Sequence, residues 1–253
     1  MMIRRAAGKL GRALGIRNYA DERHWLDDFA SRARDVSFLQ IGAHDGKTDD
    51  KLYDLIQRHG WWGLLVEPVP YLFERLVANH AGNPRLKFEN SALASSDGTV
   101  TFYRLRQTDD PMPYWYDQLG TMNREVILKF GHEIPDIENY LVEERVASIS
   151  YETLLRKYDV SKVDLILIDT EGSDLEVLRQ IDFKRHRPQL LIYEHAHLSS
   201  SDGRAAVDLL ASQGYRVFGC GVNNVAVPKA SVTWKQRALS FVAHLFDPTR
   251  ERS

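Results

Sequence analysis

Acidic and imidazole side chains follow two strongly apolar runs in the second half of the chain. Asp169 and Glu171 follow the run LILI, and Glu194, His195 and His197 lie at the end of the run LLIY. Open α/β sheets bind ligands at the carboxyl ends of their strands, so these side chains should lie near one another. A histidine there can act as a general base, whereas carboxylates and imidazoles together can bind a divalent metal ion. The residues leave these roles open, because acids after a strand can also cap the next helix.

A second group of residues is suited to a nucleotide-like ligand. Gly42 and Gly46 lie in the turn IGAHDG, between an apolar strand and a helical pattern. Glycine there lets the backbone turn tightly and approach a ligand, although the spacing is G-x-x-x-G and not the dinucleotide pattern G-x-G-x-x-G. Glu67 ends the next strand roughly 20 residues later, where a carboxylate accepts hydrogen bonds from a ribose diol.

The elements that must position these residues alternate between strands and helices, which predicts a mostly parallel sheet with crossover helices. The continuous apolar runs at 165–168 and 190–193 are typical of buried central strands. The full pattern predicts strands over 36–41, 62–66, 86–90, 99–104, 165–168, 190–193, 215–218 and 225–227, and helices over 49–59, 71–80, 173–181 and 205–212.

Residues 106–144 interrupt this alternation. The segment contains three prolines and the aromatic cluster Tyr114, Trp115 and Tyr116. Long insertions in compact α/β domains are often lids or binding loops, and aromatic rings offer a ligand apolar area with a polar tip. We therefore expect a lid or acceptor-binding insertion, with a structural insertion packed on one sheet edge as the alternative.

The chain is expected to divide into an N-terminal helical extension (1–35), an α/β domain (36–228) and a C-terminal helical tail (229–253). The first twenty residues carry five basic side chains and no acid. A membrane-surface or targeting helix would fit this pattern, but a packed terminal helix is favoured because the apolar face is small.

Composition restricts the class of protein. Hydrophobic residues make up 43% and charged residues 27%, which is typical of a globular protein. The net charge is −2, so the chain as a whole has no electrostatic attraction to nucleic acid or acidic lipid. The single cysteine fits a reducing compartment, and no apolar run approaches the ~20 residues of a membrane span. We expect a cytoplasmic protein with no transmembrane span and no nucleic-acid partner, either as a monomer or as a homo-oligomer.

The sequence resembles the FkbM-type family of methyltransferases across roughly residues 36–227. The resemblance rests on the blocks IGAHDG, VEPVP, ENSALASSDGTVTFY, LILIDTEGSDLEVLR and LLIYEH, in that order. Family members more usually have asparagine in the first turn, as in GANxG, where this chain has His44 and Asp45.

The resemblance implies a Rossmann-like, mostly parallel seven-stranded sheet with helices on both faces and one antiparallel edge strand. It also implies S-adenosylmethionine as the methyl donor and a hydroxyl group on a sugar, glycan or secondary metabolite as the acceptor. The implied donor-binding residues are Gly42, His44, Gly46, Glu67, Pro68, Ser91, Ala92 and Asp169. The candidate catalytic residues are Asp169, Glu171 and His195, and the candidate acceptor contacts are Tyr114, Trp115, Tyr116, Glu194 and His197.

A sulfonium methyl group is already electrophilic, so such a protein must align the acceptor oxygen and help to remove its proton. Asp169 and His195 are candidate bases, with His197 behind them. A divalent metal held by Asp169, Glu171 and Glu194 would instead lower the pKa of the hydroxyl group. Two other functions stay open: a nucleotide-dependent sugar oxidoreductase or epimerase, which the missing G-x-G-x-x-G pattern disfavours, and a non-catalytic protein that binds donor or acceptor.

Overall fold

The structure is a computed structural model that describes residues 21–232. The expectations for residues 1–20 and for 233–253 lie outside this range. The strands are β1 (Ser37–Ile41), β2 (Trp62–Val66), β3 (Leu86–Glu89), β4 (Ala92–Leu93), β5 (Gly98–Leu105), β6 (Gly120–Thr121), β7 (Leu141–Ile149), β8 (Leu165–Ile168), β9 (Leu190–Glu194), β10 (Tyr215–Cys220) and β11 (Asn223–Pro228). The α-helices are α1 (Glu22–Arg32), α2 (Tyr53–His59), α3 (Pro70–Asn79), α4 (Arg124–Leu128), α5 (Tyr151–Lys157), α6 (Asp174–Gln180) and α7 (Ser200–Ser212).

Seven strands form the main sheet, in the order β3-β2-β1-β8-β9-β11-β10. β3, β2, β1, β8 and β9 pair in parallel, whereas β11 is antiparallel to both of its neighbours. The expected Rossmann-like, mostly parallel sheet is therefore confirmed, but the antiparallel strand is second from the edge and not at it. A two-residue turn joins β10 to β11, and the more buried strand, β11, takes the inner place.

Helices cover both faces of this sheet because successive residues of a strand point to opposite sides. In β1, Leu39 and Ile41 join the core beneath α5, α6 and α7, whereas Phe38 joins the core beneath α1, α2 and α3. All eight expected strands and all four expected helices are present. The helix expected from residue 49 begins only at Tyr53, because the Asp50 side chain accepts the backbone N–H groups of Leu52 and Tyr53 before the first turn.

The insertion is folded around a second sheet, in the order β4-β7-β5-β6. β5 and β7 pair antiparallel from Gly98 opposite Ser148 to Leu105 opposite Leu141. The residues between these two strands form a small core of their own: Tyr116, Leu119, Ile127, Ile134 and Ile137 pack with Leu105. The segment 106–144 is thus a packed unit, and its last residues begin β7, a strand that the sequence did not predict.

Among residues 21–232, no helix combines the length and the apolar character that a bilayer crossing requires.

Candidate active site

A cleft of about 460 Å³ lies at the carboxyl ends of four neighbouring strands. Gly42 follows β1, Glu67 follows β2, Asp169 follows β8, and Glu194 ends β9; all four residues line the cleft. Parallel strands bring their carboxyl ends to one edge of a sheet, which is why residues far apart in the sequence meet here.

The turn after β1 is held between the two neighbouring strands. The backbone N–H groups of Gly42 and Ala43 both donate to the Val66 carbonyl oxygen at 3.0 Å. Gly42 has φ of 78°, and a Cβ atom at this position would lie 1.8 Å from the carbonyl oxygen of Asp169. Only glycine fits both the backbone conformation and this close approach.

Gly46 is close to the cleft but does not line it. A Cβ atom there would lie 2.3 Å from Leu76 Cδ1 and 2.9 Å from His80 Nε2, so this glycine lets the turn pack directly on α3. The Gly46 carbonyl oxygen is 3.0 Å from His80 Nε2. Gly46 therefore contributes to the packing of the turn on α3 and not to the cleft lining.

Glu67 connects the turn after β1 to the end of β2. Its carboxyl group is buried, with the residue 4% exposed, and accepts the backbone N–H groups of His44 at 2.8 Å and Val69 at 2.9 Å. Burial raises the pKa of Glu67 to about 8, although the two backbone hydrogen bonds act in the opposite direction. His44 takes up a left-handed backbone conformation with φ of 51°, and its N–H thereby reaches Glu67.

Lys51 is a cleft residue that the sequence reasoning missed. Its Nζ atom is 3.1 Å from Asp169 Oδ2. Burial lowers the pKa of Lys51, but the Asp169 carboxylate, together with Glu22 and Asp50, outweighs this effect, and the net direction is upward. Lys51 lies a few residues after the glycine turn. A basic residue so close to a predicted ligand-binding turn is the sequence signal that could have identified it.

Glu171, Glu194 and His197 form an acid–imidazole cluster. His197 Nε2 is 3.0 Å from Glu171 Oε2 and 3.7 Å from Glu194 Oε1. Burial and neighbouring carboxylates raise the pKa of Glu194 to about 9 and that of Glu171 well above its usual range. His197 completes this cluster in place of Asp169, whose carboxylate is paired with Lys51.

Asp174 connects the loop that carries Glu171 to the end of β9, which carries Glu194. Its side chain accepts the Thr170 hydroxyl at 2.7 Å and the Glu194 backbone N–H at 2.9 Å. On the other side, the Thr121 hydroxyl donates to the Glu171 carbonyl oxygen at 2.7 Å. The second sheet thus holds the Glu171 backbone, which has a left-handed φ of 51°.

The structure does not bring His195 into the cleft. Its backbone N–H donates to the Val222 carbonyl oxygen at 3.0 Å, and its Nε2 is 3.1 Å from the Gly221 carbonyl oxygen. The ring borders a separate shallow depression beside α7. The chain leaves β9 immediately after Glu194, and the next residue turns toward the β10–β11 hairpin.

The remaining candidates divide between the cleft and the core of the insertion. His44, Pro68, Ser91 and Ala92 line the cleft, as does Tyr114, which is 80% exposed at its rim. Trp115 instead packs on Phe130 with ring centroids 4.9 Å apart, and the buried Tyr116 donates its hydroxyl to the Arg106 carbonyl oxygen. Of the three adjacent aromatic residues, Tyr114 alone lines the cleft.

The cleft combines an apolar region with an excess of acid. Leu72, Phe102 and Met122 border the part near Ala92. Acidic lining residues outnumber basic ones by eight to three: Glu22, Asp49, Asp50, Glu67, Asp117, Asp169, Glu171 and Glu194 against Arg23, Lys51 and Arg104. A ligand with positive charge suits this lining better than one with several phosphates, because the positive charge stabilises the ionised form of the buried acids, whereas phosphates disfavour it.

Residues 40–217 match the family model described as the methyltransferase FkbM domain. No curated protein sequence matches the chain. Similar solved structures include an FkbM methyltransferase from Methylobacillus flagellatus KT, with 13% identity and a TM-score of 0.47 over 78% of this chain and 44% of the other. This chain thus spans less than half of that protein's length.

Two further structures show the same level of similarity. A precorrin-6y C5,15-methyltransferase from Geobacter metallireducens GS-15 has 11% identity and a TM-score of 0.40, over 78% of this chain and 71% of the other. A human methyltransferase 10 domain containing protein has 14% identity and a TM-score of 0.41, over 81% of this chain and 78% of the other.

Proposed function

The chain belongs to the FkbM methyltransferase family, and on that basis we propose that it transfers the methyl group of S-adenosylmethionine to a hydroxyl group on a sugar, a glycan or another metabolite. The observation that carries the proposal is the direct hydrogen bond between the turn after β1 and Glu67, inside an acid-lined cleft. It holds Glu67, which we propose accepts the ribose diol, against the glycine turn.

The residues present fit the donor. Glu67 is buried, and the hydrogen bonds to its carboxyl group come from backbone N–H groups, so its oxygens can also accept a ribose diol. The apolar side chains near Ala92 suit an adenine ring, and Lys51 suits the donor's carboxylate. Asp169 and Glu171 suit the positive sulfonium.

The same lining disfavours the oxidoreductase alternative. A dinucleotide carries a pyrophosphate, which nucleotide-binding folds hold with backbone N–H groups at a helix N-terminus. Here Asp50, whose side chain accepts the first N–H groups of α2, lies in the cleft lining with seven other acids. Phosphate oxygens would meet carboxylates there.

The bound donor supplies an electrophilic methyl group, and the chain's own residues then orient and deprotonate the acceptor. We assign proton acceptance to Asp169, because it lines the cleft and its Oδ2 is fixed by Lys51, which leaves Oδ1 for the hydroxyl. Tyr114 and the other residues of the insertion at the rim would bind the acceptor. Glu171 and Glu194 lie beside that position in the same cleft.

Calorimetry with the purified chain tests the donor assignment. S-adenosylhomocysteine should bind one molecule per chain, whereas NAD and NADP should not bind. Binding of a dinucleotide in preference to S-adenosylhomocysteine would refute the proposal.

A turnover assay tests the acceptor assignment. The release of S-adenosylhomocysteine should be measured with monosaccharides, nucleotide sugars, oligosaccharides and hydroxylated metabolites. Turnover with one of these classes is expected. Donor binding with turnover of none of them would contradict hydroxyl methylation and would favour a non-catalytic binding protein.

A further inference from the structure

The acid–imidazole cluster has the spacing of ligands around one ion. The ligand atoms of Glu171, Glu194 and His197 all lie within 4.8 Å of one another, and two of the distances are 3.0 and 3.7 Å. Ligand atoms bound at ~2.1 Å to one cation lie about 3.0 to 3.4 Å apart, depending on whether the bonds meet at a right or a tetrahedral angle. Only small movements would bring all three atoms onto a common centre.

An unpartnered buried oxygen gives an independent indication. Glu194 is 8% exposed, and within the described residues its Oε2 accepts no hydrogen bond. A buried carboxylate oxygen without a donor is costly, so native structures usually satisfy it with a hydrogen bond, a water molecule or an ion. Among residues 21–232, Lys51 is paired with Asp169 and donates no hydrogen bond to Glu171 or Glu194.

The surroundings hold these ligands in place from outside the cleft. The Thr121 hydroxyl anchors the Glu171 backbone, the Glu194 backbone N–H donates to Asp174, and the His197 ring lies 5.7 Å from the Phe130 ring. Ligands of metal sites typically depend on such outer contacts for their orientation. Because Glu171 and Glu194 line the cleft, an ion between them would face the cleft on one side.

We propose that Glu171, Glu194 and His197 bind one divalent first-row transition ion, of the Mn²⁺ or Zn²⁺ type. Carboxylates alone would suit Mg²⁺ or Ca²⁺, whereas an imidazole ligand favours a transition ion. Three protein ligands leave coordination positions open toward the cleft, as in catalytic sites. The proposal that an ion binds here depends on the ligand geometry alone and not on the proposed function. A role in methyl transfer, through a lower pKa of a coordinated acceptor hydroxyl, rests on the proposed function.

The binding test uses the whole purified chain after removal of metal with EDTA. Free Mn²⁺ is followed by electron paramagnetic resonance during titration with MnCl₂, and ZnCl₂ and MgCl₂ are titrated by calorimetry. We expect one Mn²⁺ or Zn²⁺ per chain and weaker binding of Mg²⁺. Glu194→Gln and His197→Gln each replace a ligand and should weaken binding by at least about 100-fold, the upper end of the loss that changes in outer contacts cause.

Two matched variants control for unspecific effects. His195→Gln removes an imidazole two residues away, outside the cluster, and Glu176→Gln removes an exposed carboxylate of α6; both should bind the ion as the unmodified chain does. Circular dichroism and S-adenosylhomocysteine affinity, measured without metal, show whether each variant is folded.

Three results would overturn the assignment: no stoichiometric ion, tighter binding of Mg²⁺ than of Mn²⁺ and Zn²⁺, or folded cluster variants that bind like the unmodified chain. Methyl transfer that continues unchanged in EDTA would remove the catalytic role of the ion. None of these results would contradict the donor assignment, which fails if S-adenosylhomocysteine does not bind or if a dinucleotide binds in preference to it.

Discussion

Glu67 is a carboxyl group held where its charged form is disfavoured. Its two backbone hydrogen bonds position it, and burial raises its pKa to about 8. A ribose diol would donate two hydrogen bonds to it and favour the charged form, since hydrogen bonds to a carboxylate lower its pKa. Donor binding and ionisation of Glu67 should therefore be linked.

Replacement of Glu67 by glutamine should weaken donor binding. The amide offers one acceptor oxygen instead of two, so we expect S-adenosylhomocysteine affinity to fall by about 10- to 100-fold. Calorimetry above about pH 8 gives the comparison with the ionised carboxylate. Equal dissociation constants for the variant and the unmodified chain would remove Glu67 from the donor site.

The raised pKa of Glu67 also predicts a pH dependence of stability. Between the ordinary pKa of 4.5 and about 8, the native chain keeps a proton that the unfolded chain has lost. The free energy of unfolding should therefore fall as pH rises through this window. Relative to Glu67→Gln, the unmodified chain should lose on the order of 4 kcal/mol between about pH 5 and pH 9, measured by urea denaturation without ligand. A constant difference between the two proteins would disprove the shift.

Asp169 should matter for the reaction more than for donor affinity. Asp169→Asn keeps the shape of the side chain but removes the base, so we expect kcat to fall by about 10²- to 10⁴-fold. The dissociation constant of S-adenosylhomocysteine should change by about threefold or less. The assay uses the acceptor class identified by turnover, and retained kcat would reassign proton removal to another group.

At the scale of single residues, the sequence indicated which strand ends carry the site but not which side chains face it. Glu67 and Asp169 directly follow strands, so strand position alone brought them to the cleft. The choice between His195 and His197 depends on how the loop leaves β9 beside the β10–β11 hairpin, a long-range contact. Lys51 was missed because its partner, Asp169, is 118 positions away.

At the scale of elements, the glycine turn makes a steric prediction. Gly42→Ala would place a Cβ atom 1.8 Å from the Asp169 carbonyl oxygen, in a backbone conformation with positive φ. We expect a loss of at least about 3 kcal/mol in the free energy of unfolding and a loss of donor binding.

Gly203 offers the matched control for that change. It lies within α7, and a Cβ atom there would meet nothing within 4 Å. Gly203→Ala should therefore raise the free energy of unfolding by about 0.5–1 kcal/mol. Equal effects of the two substitutions in urea denaturation would show that the contact between the turn and Asp169 is not tight.

Element prediction succeeded where a local pattern was strong. β8 is apolar throughout, and β9 is apolar up to Glu194. Their neighbours β1 and β2 are mostly apolar and almost completely buried. β7 was missed because its first half is partly exposed and contains three charged residues, and because 35 residues separate it from its partner β5. The inner position of β11 likewise results from packing between strands, which a local pattern does not contain.

At the scale of the whole molecule, the insertion contacts the side of the cleft that carries the acid–imidazole cluster. Thr121 holds the Glu171 backbone and Phe130 contacts His197, while Tyr114 lies at the rim. The proposed donor contacts at Gly42 and Glu67 instead belong to the main sheet. The acceptor side should therefore depend on the insertion more than the donor side does.

A chain with a shortened insertion tests separately whether acceptor turnover and donor binding depend on the insertion. Leu105 and Leu141 face each other at the ends of β5 and β7, so an Asn-Gly turn can replace residues 106–140. We expect acceptor turnover to be abolished. S-adenosylhomocysteine should still bind, with an affinity within about tenfold of the original, because the variant loses few apolar donor contacts.

A point variant keeps this prediction testable if the shortened chain does not fold. Tyr114→Ala removes an exposed ring, so it should raise the acceptor KM without changing S-adenosylhomocysteine affinity or the melting temperature. A shortened chain that still methylates the acceptor, or a Tyr114 variant with an unchanged acceptor KM, would place acceptor recognition on the main sheet. Loss of donor binding in both variants would instead make the insertion part of the donor site.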